Sequence, residues 1–142
     1  MDVELININK KYGNVTAVDK FSLGIKQGEF LVLLGPSGCG KTTTLRMIAG
    51  LENIDEGELF VEGKLMNDVL PKYRDLAMVF QSYALYPHMT VEDNVGYPLK
   101  MRGIKGREKI DAIMIACRQV LISNLTHRYP KQFSGGQRQR VA

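Results

Sequence analysis

"GPSGCGKT", Gly35–Thr42, decides how this chain is read. It fits G-x-x-x-x-G-K-[ST] at every position. Before it stands "FLVLL", Phe30–Leu34, a continuous apolar run of the kind that forms a strand buried on both faces. After it, "KTTTLRMIAGL" switches to helical spacing, with Leu45, Ile48 and Ala49 on one face and Gly50 as the stop. Strand, loop and helix in this order is the context the pattern requires. Each position has a chemical reason. A triphosphate needs many donors in a small space, and backbone amides of a tight loop at Gly35, Ser37, Gly38, Cys39 and Gly40, with Pro36 shaping the turn, can supply them where larger side chains would obstruct. The helix beginning at the phosphates adds the positive end of its dipole. Lys41 reaches the β- and γ-phosphates as a mobile charge. Thr42 offers a hydroxyl to Mg²⁺, and Thr43 a hydrogen bond to the α-phosphate. The implied ligands are ATP and Mg²⁺. Cys39 is either a reactive thiol beside the phosphates or a small side chain that merely fits.

Outward from the loop, "VELININKKYG" alternates and ends in a glycine turn, which predicts a strand. "AVDKFSLGIKQGEFLVLLG" predicts a second strand, a Gln27-Gly28 turn and the third strand Phe30–Leu34. "EGELFVEGKLM" predicts a hairpin about Gly63, and "LAMVF", Leu76–Phe80, a further short strand. Beyond Gln81 the pattern turns helical. Thr90 with Asp93 makes a capping box, and Glu92 and Asp93 suit the helix dipole. "REKIDAIMIACRQVL" predicts an amphipathic helix with Ile110, Ile113, Met114, Cys117, Val120 and Leu121 on one side. Pro130 breaks the chain before "FSGGQRQRVA", Phe133–Ala142, where a serine hydroxyl and two glycine amides at a helix start make an anion site.

The 142 residues are 44% hydrophobic and 24% charged, enough for one ordinary domain with a core. No apolar run approaches the roughly 18–20 residues that cross a bilayer, and the N-terminus does not read as a signal peptide. Two cysteines make neither a disulfide framework nor a metal site. The net charge of +4 is uneven: residues 100–142 hold ten Lys/Arg against two Asp/Glu. No aromatic residues interleave with these charges as a base-stacking surface requires, so a solvated helical face is preferred to a nucleic-acid surface.

P-loop, apolar strand followed by Gln81, and Ser134-Gly135-Gly136-Gln137, in this order, resemble the ATP-binding subunits of ABC transporters, whose signature sequence is SGGQ. The wording from "LLGPSGCGKTTTLRMIAGLE" to "VFQSYALYPHMTVEDNV" is similar to the carbohydrate-importer branch, the maltose and glycerol-3-phosphate type. The resemblance runs from Val3 to Ala142. It implies an α/β P-loop NTPase fold, incomplete here, with an N-terminal antiparallel β subdomain and P-loop core over about residues 1–82 and a helical subdomain over about 83–142. It also implies roles. Tyr12 stacks on adenine. Gln81 approaches Mg²⁺ and the attacking water. Tyr83, Tyr86, Pro87, His88 and Met89 form a groove for the membrane-spanning permease subunit. Ser134–Gln137 close on the γ-phosphate held by a second ATP-binding subunit, head to tail. Phe133 replaces the usual leucine and keeps an apolar anchor. The implied function is ATP hydrolysis driving import of a sugar or related solute, at the cytoplasmic side of the membrane, with a solute-binding protein acting indirectly.

The family also needs an apolar strand ending in Asp, a neighbouring Glu to polarise water, and a switch His. None of the fifteen acidic residues closes an apolar strand; Asp75 precedes "LAMVF", and Glu58 and Glu62 flank the hairpin. His88 and His127 are not at the switch position. The expectation is the first part of a longer subunit that binds ATP, hydrolyses it poorly, and leaves "FLVLL" as an aggregation-prone edge. A non-hydrolysing remnant and a non-transport ABC protein are the alternatives.

Overall fold

The computed structural model describes residues 2–142. They divide into two compact units between Met78 and Val79.

The first unit is built on a four-stranded antiparallel sheet of order β2-β1-β3-β4, formed by β1 (Val3–Tyr12), β2 (Val15–Ile25), β3 (Glu56–Val61) and β4 (Lys64–Leu65). Two local signals set its hairpins. Gly13 between β1 and β2 has φ 56°, and the β3–β4 turn runs through Glu62 at φ 50° and Gly63 at φ 71°, the paired left-handed residues that match strand twist. One face of the sheet buries Val3, Leu5, Ile8, Val18, Leu59, Val61 and Met66. Each such side chain contributes about 1.5–3 kcal/mol on burial. Helix α1 (Lys41–Ile48) sends Met47 into this cluster, so the sheet fixes the helix that begins at the phosphate loop.

Three expectations change. Helix α1 buries Thr44 and Met47, whereas Leu45 is exposed. The helix is too short for periodicity to choose its face, and Met47 on the sheet chooses instead. The run Phe30–Leu34 is not a strand: it joins no ladder among the described residues, and Phe30 is 91% and Leu34 87% exposed. Composition favours extended backbone, but a strand also needs a neighbour to hydrogen-bond. Leu76–Phe80 departs from expectation in the same way and for the same reason, with Val79 and Phe80 exposed.

The second unit is helical: α2 (Val91–Met101), α3 (Gly106–Gln119) and α4 (Gly135–Val141). The expected capping box at Thr90 is present, with the Thr90 hydroxyl accepting from Asp93 N at 3.1 Å. Val91, Ile113, Cys117, Ile122, Leu125, Phe133 and Val141 make the core. Helix α3 ends earlier than its predicted stripe. Ile113 and Cys117 are buried, but Ile110, Val120 and Leu121 are exposed. Leu121 adopts φ 57°, which turns the chain and delivers Ile122 to the core in its place.

Candidate nucleotide site

The loop before α1 is a cradle shaped by glycine. Gly38 has φ 84° and Gly40 φ 89°, backbone that side-chain-bearing residues adopt at a cost. Gly40 is doubly constrained, because a Cβ there would lie 2.4 Å from Ala17 O and 3.0 Å from Val18 Cγ2. The loop therefore rests directly on β2. Gly40 also caps α1 without any side-chain acceptor. The first intrahelical bond runs from Thr44 N to Gly40 O at 2.8 Å, so the amides of Gly40, Lys41, Thr42 and Thr43 have no acceptor within the helix. Gly35, Pro36, Ser37, Gly38, Cys39 and Thr42 are exposed, and Thr44 Oγ1 donates to Gly40 O at 3.0 Å from the buried side. Free amides, a helix start and an open loop together make an anion-binding geometry.

Lys41 closes the cradle. Its Nζ donates to Gly35 O at 2.8 Å and to Pro36 O at 2.7 Å, and lies 3.4 Å from Cys39 Sγ. The ammonium is thus folded over its own loop, above the place where phosphates would sit. Thr42 presents a hydroxyl at the same helix start. Among the described residues no group of three or more His, Cys, Asp or Glu could hold a metal. A hydroxyl supplemented by phosphate oxygens and water suits Mg²⁺, which dehydrates reluctantly, so Thr42 fits the ion.

Tyr12 lies at the same end of the β1–β2 hairpin as the loop. It pairs with Val15, while Lys10 pairs with Val18, the residue against which Gly40 packs. Its ring is 47% exposed. Beneath it sits an ionic cluster that sequence reading missed. Lys10, only 7% exposed, lies 3.1 Å from Glu52 Oε1 and 3.0 Å from Asp55 Oδ1. Burial is the largest single influence on Lys10 and opposes its charge, but hydrogen bonds and charges from Asp55 and Glu52 together outweigh it and raise its pKa. Lys10, then Tyr12, hold the Glu52 carboxyl below its ordinary value. The Lys11 amide, then Lys10, do the same for Asp55.

Arg74 is the second residue that sequence reading missed. It is 4% exposed and donates only to backbone carbonyls: Nε to Val69 O at 2.8 Å, Nη1 to Met47 O at 2.8 Å and Ile48 O at 2.9 Å, and Nη2 to Met66 O at 2.6 Å. It closes the C-terminus of α1 and ties it to the segment after β4. Burial lowers its pKa. Only the nonlocal packing marks it, since its neighbours in sequence give no sign.

In the second unit, Gln81 is exposed in a turn. The loop after it is sharply turned. Tyr83 and Ala84 have φ 64° and 48°, and Asn94 pins the next stretch by accepting from Tyr86 N at 2.8 Å and donating to Tyr86 O, Met89 O and Thr90 O. Tyr86 packs edge-on to His88 and against Tyr97. Leu85 packs on the same core as Phe133. Met89 borders a cavity of about 510 Å³ shared with Tyr97, Lys100 and Lys109. At the signature, Ser134 caps α4. Its Oγ accepts from Gln137 N at 3.3 Å, while Gln137 Oε1 accepts from Ser134 N at 3.0 Å. The Gln137 side chain is thereby committed to the cap, whereas the Ser134 hydroxyl hydrogen stays available. A Cβ on Gly135 or Gly136 would meet nothing within 4 Å, so nothing inside the chain demands glycine there.

The chain is similar to known proteins in sequence and in fold. The chain is 54% identical to the trehalose/maltose import ATP-binding protein MalK of Thermococcus litoralis, over 99% of its own length and 39% of that protein. It is 51% identical to the spermidine/putrescine import ATP-binding protein PotA of Nitrosomonas eutropha, again over 99% and 39%. It therefore spans about two fifths of the curated relatives it matches. The dimeric post-hydrolysis structure of the ATP-binding cassette MJ0796 with ADP and Pi superposes with a TM-score of 0.89 at 34% identity, over 98% of this chain and 66% of that one. The family model described as ABC transporter matches residues 18–142. With phosphate loop, fold and signature in agreement, the chain belongs to the ABC transporter family.

Proposed function

We propose that this chain is the ATP-binding portion of an import system that couples ATP binding and hydrolysis to the passage of a solute through membrane partners. The observation that carries the reading is the cradle at Gly35–Thr43, with four amides lacking helical acceptors and Lys41 folded over them. Lys41 exchanges its two carbonyl partners for phosphate oxygens, Thr42 holds Mg²⁺, and Tyr12 stacks on adenine. Mg²⁺ supplies charge neutralisation across the phosphates. Gln81 senses the γ-phosphate and orients the attacking water.

Ser134, Gly135 and Gly136 serve a second subunit. The free hydroxyl hydrogen and the open space over both glycines support this, because they suit an approach from outside the chain. Gln137 supports the site through its cap. The loop Tyr83–Met89, tied to Asn94 at Tyr86 and Met89, is proposed to receive a permease segment. No described helix is long and apolar enough to cross a membrane, and a peripheral place on the cytoplasmic face fits such a partner. The cargo proposed is a sugar or related solute delivered by a solute-binding protein. The name of the Thermococcus litoralis relative supports a sugar. The nearly equal identity to a polyamine importer indicates that selection of the solute lies outside these residues.

No apolar strand here ends in an Asp-Glu pair as water activation requires, so the 142 residues alone are proposed to bind ATP and turn it over poorly. Phosphate release under saturating MgATP tests this. Release at background, with ATP bound, is expected. Steady turnover abolished by Gln81→Ala would refute the poor-turnover claim.

A further inference from the structure

Tyr12 is not a free surface ring. Lys10 Nζ stands 5.4 Å from its centroid on one face. Lys10 is held in turn between Glu52 and Asp55. Asp55 is itself fixed to β1 twice: its Oδ2 accepts from Lys11 N at 2.7 Å, and its own N donates to Asn9 O at 3.1 Å. Glu52 and Asp55 both belong to the segment that follows α1, the helix whose first turn forms the phosphate cradle.

We propose that Lys10, Glu52 and Asp55 are positioning residues that hold the Tyr12 ring at a fixed height and tilt for a purine base, and couple that platform to the phosphate-loop helix. The proposal rests on the reading of Tyr12 as the adenine platform. A buried cation beneath one face leaves the other face for the base. An exposed tyrosine without these partners would lose side-chain freedom on stacking, and that loss would subtract from affinity. The partners remove the loss beforehand.

The test compares ATP with inorganic tripolyphosphate, which has the phosphates and no base. Binding of both to the full chain is measured for Tyr12→Ala, Glu52→Gln, Lys10→Met and Lys10→Arg. Tripolyphosphate affinity also reports that each variant still folds. Tyr12→Ala is expected to weaken ATP by about tenfold or more without changing tripolyphosphate. Glu52→Gln, which loosens the hold on Lys10, should weaken ATP alone by about three- to tenfold. Lys10→Met should do likewise, with Lys10→Arg restoring most of the loss. If Tyr12→Ala lowers the preference for ATP but Glu52→Gln and Lys10→Met do not, the positioning role falls and the platform survives. If Tyr12→Ala has no effect, the platform falls and the positioning role with it. Equal losses for both ligands would mark a purely structural cluster and overturn the proposal.

Discussion

A graded glycine series measures how the cradle is built. At Gly40 two penalties coincide. The backbone lies at φ 89°, and an added Cβ would meet Ala17 O at 2.4 Å and Val18 Cγ2 at 3.0 Å. The left-handed conformation costs a residue with a Cβ roughly 1–2 kcal/mol. The contact to Ala17 is backbone, which no rotamer change relieves, and overpacking of this kind costs about 1–3 kcal/mol more. Gly40→Ala is therefore expected to destabilise the chain by about 2–5 kcal/mol. Gly38 has nearly the same φ, 84°, but nothing within 4 Å, so Gly38→Ala should show the backbone penalty alone, about 1–2 kcal/mol. Gly136 has neither constraint, and Gly136→Ala should change stability by less than about 0.5 kcal/mol. Urea unfolding of the three variants gives the order directly, through shifts in midpoint at constant slope. Equal losses for Gly40→Ala and Gly38→Ala would refute the claim that the loop rests on β2. A large loss for Gly136→Ala would refute the claim that its glycine serves something outside the chain.

Arg74→Met leaves the carbonyls of Ile48 and Val69 without a donor, while those of Met47 and Met66 keep Gly50 N and Val69 N, and a loss of about 2–5 kcal/mol is expected in the same urea assay; Arg74→Lys, with fewer donors and no planar fork, should recover only part of it. The carboxyls of Glu52 and Asp55 titrate below their ordinary values, so their contribution is fully present above about pH 5 and is lost as pH falls through the lowered values. Lys10 is shifted upward, so its contribution is present below about pH 10 and is lost as pH rises through the raised value; unfolding midpoints from pH 3 to 11 should show both limbs, and Glu52→Gln should flatten the acid one. Cys39 Sγ lies 3.4 Å from Lys41 Nζ, so alkylation of Cys39 should impair ATP binding and ATP should slow the labelling, as mass spectrometry of the modified peptide would show; equal rates with and without ATP would contradict this.

What the sequence disclosed was local. The turns at Gly28 and Gly63, the capping box at Thr90 and the glycine pattern of the loop each depend on a few neighbouring residues, and each stands where its chemistry predicts. What it hid depends on residues far apart in the chain. Phe30–Leu34 carries strand composition but no ladder among the described residues, since a ladder is a property of two segments. The buried face of α1 belongs to Thr44 and Met47 because the sheet lies there, and Leu45 satisfied the period equally well. Arg74 and Lys10 look like ordinary surface cations until Met47 O, Glu52 and Asp55 are brought to them from 27, 42 and 45 positions away. Asn94 was equally silent, being one polar residue in a helix until its four bonds to Tyr86, Met89 and Thr90 are seen.

The most direct test of the account is equilibrium binding of ATP to the soluble chain beside its Lys41→Ala variant, with ligand raised to millimolar concentration. Saturable binding, competed by tripolyphosphate and weakened at least about tenfold by the loss of a charge-assisted donor, is the predicted result. A folded preparation with no saturable affinity, or one in which Lys41→Ala binds as well as the parent, would contradict it.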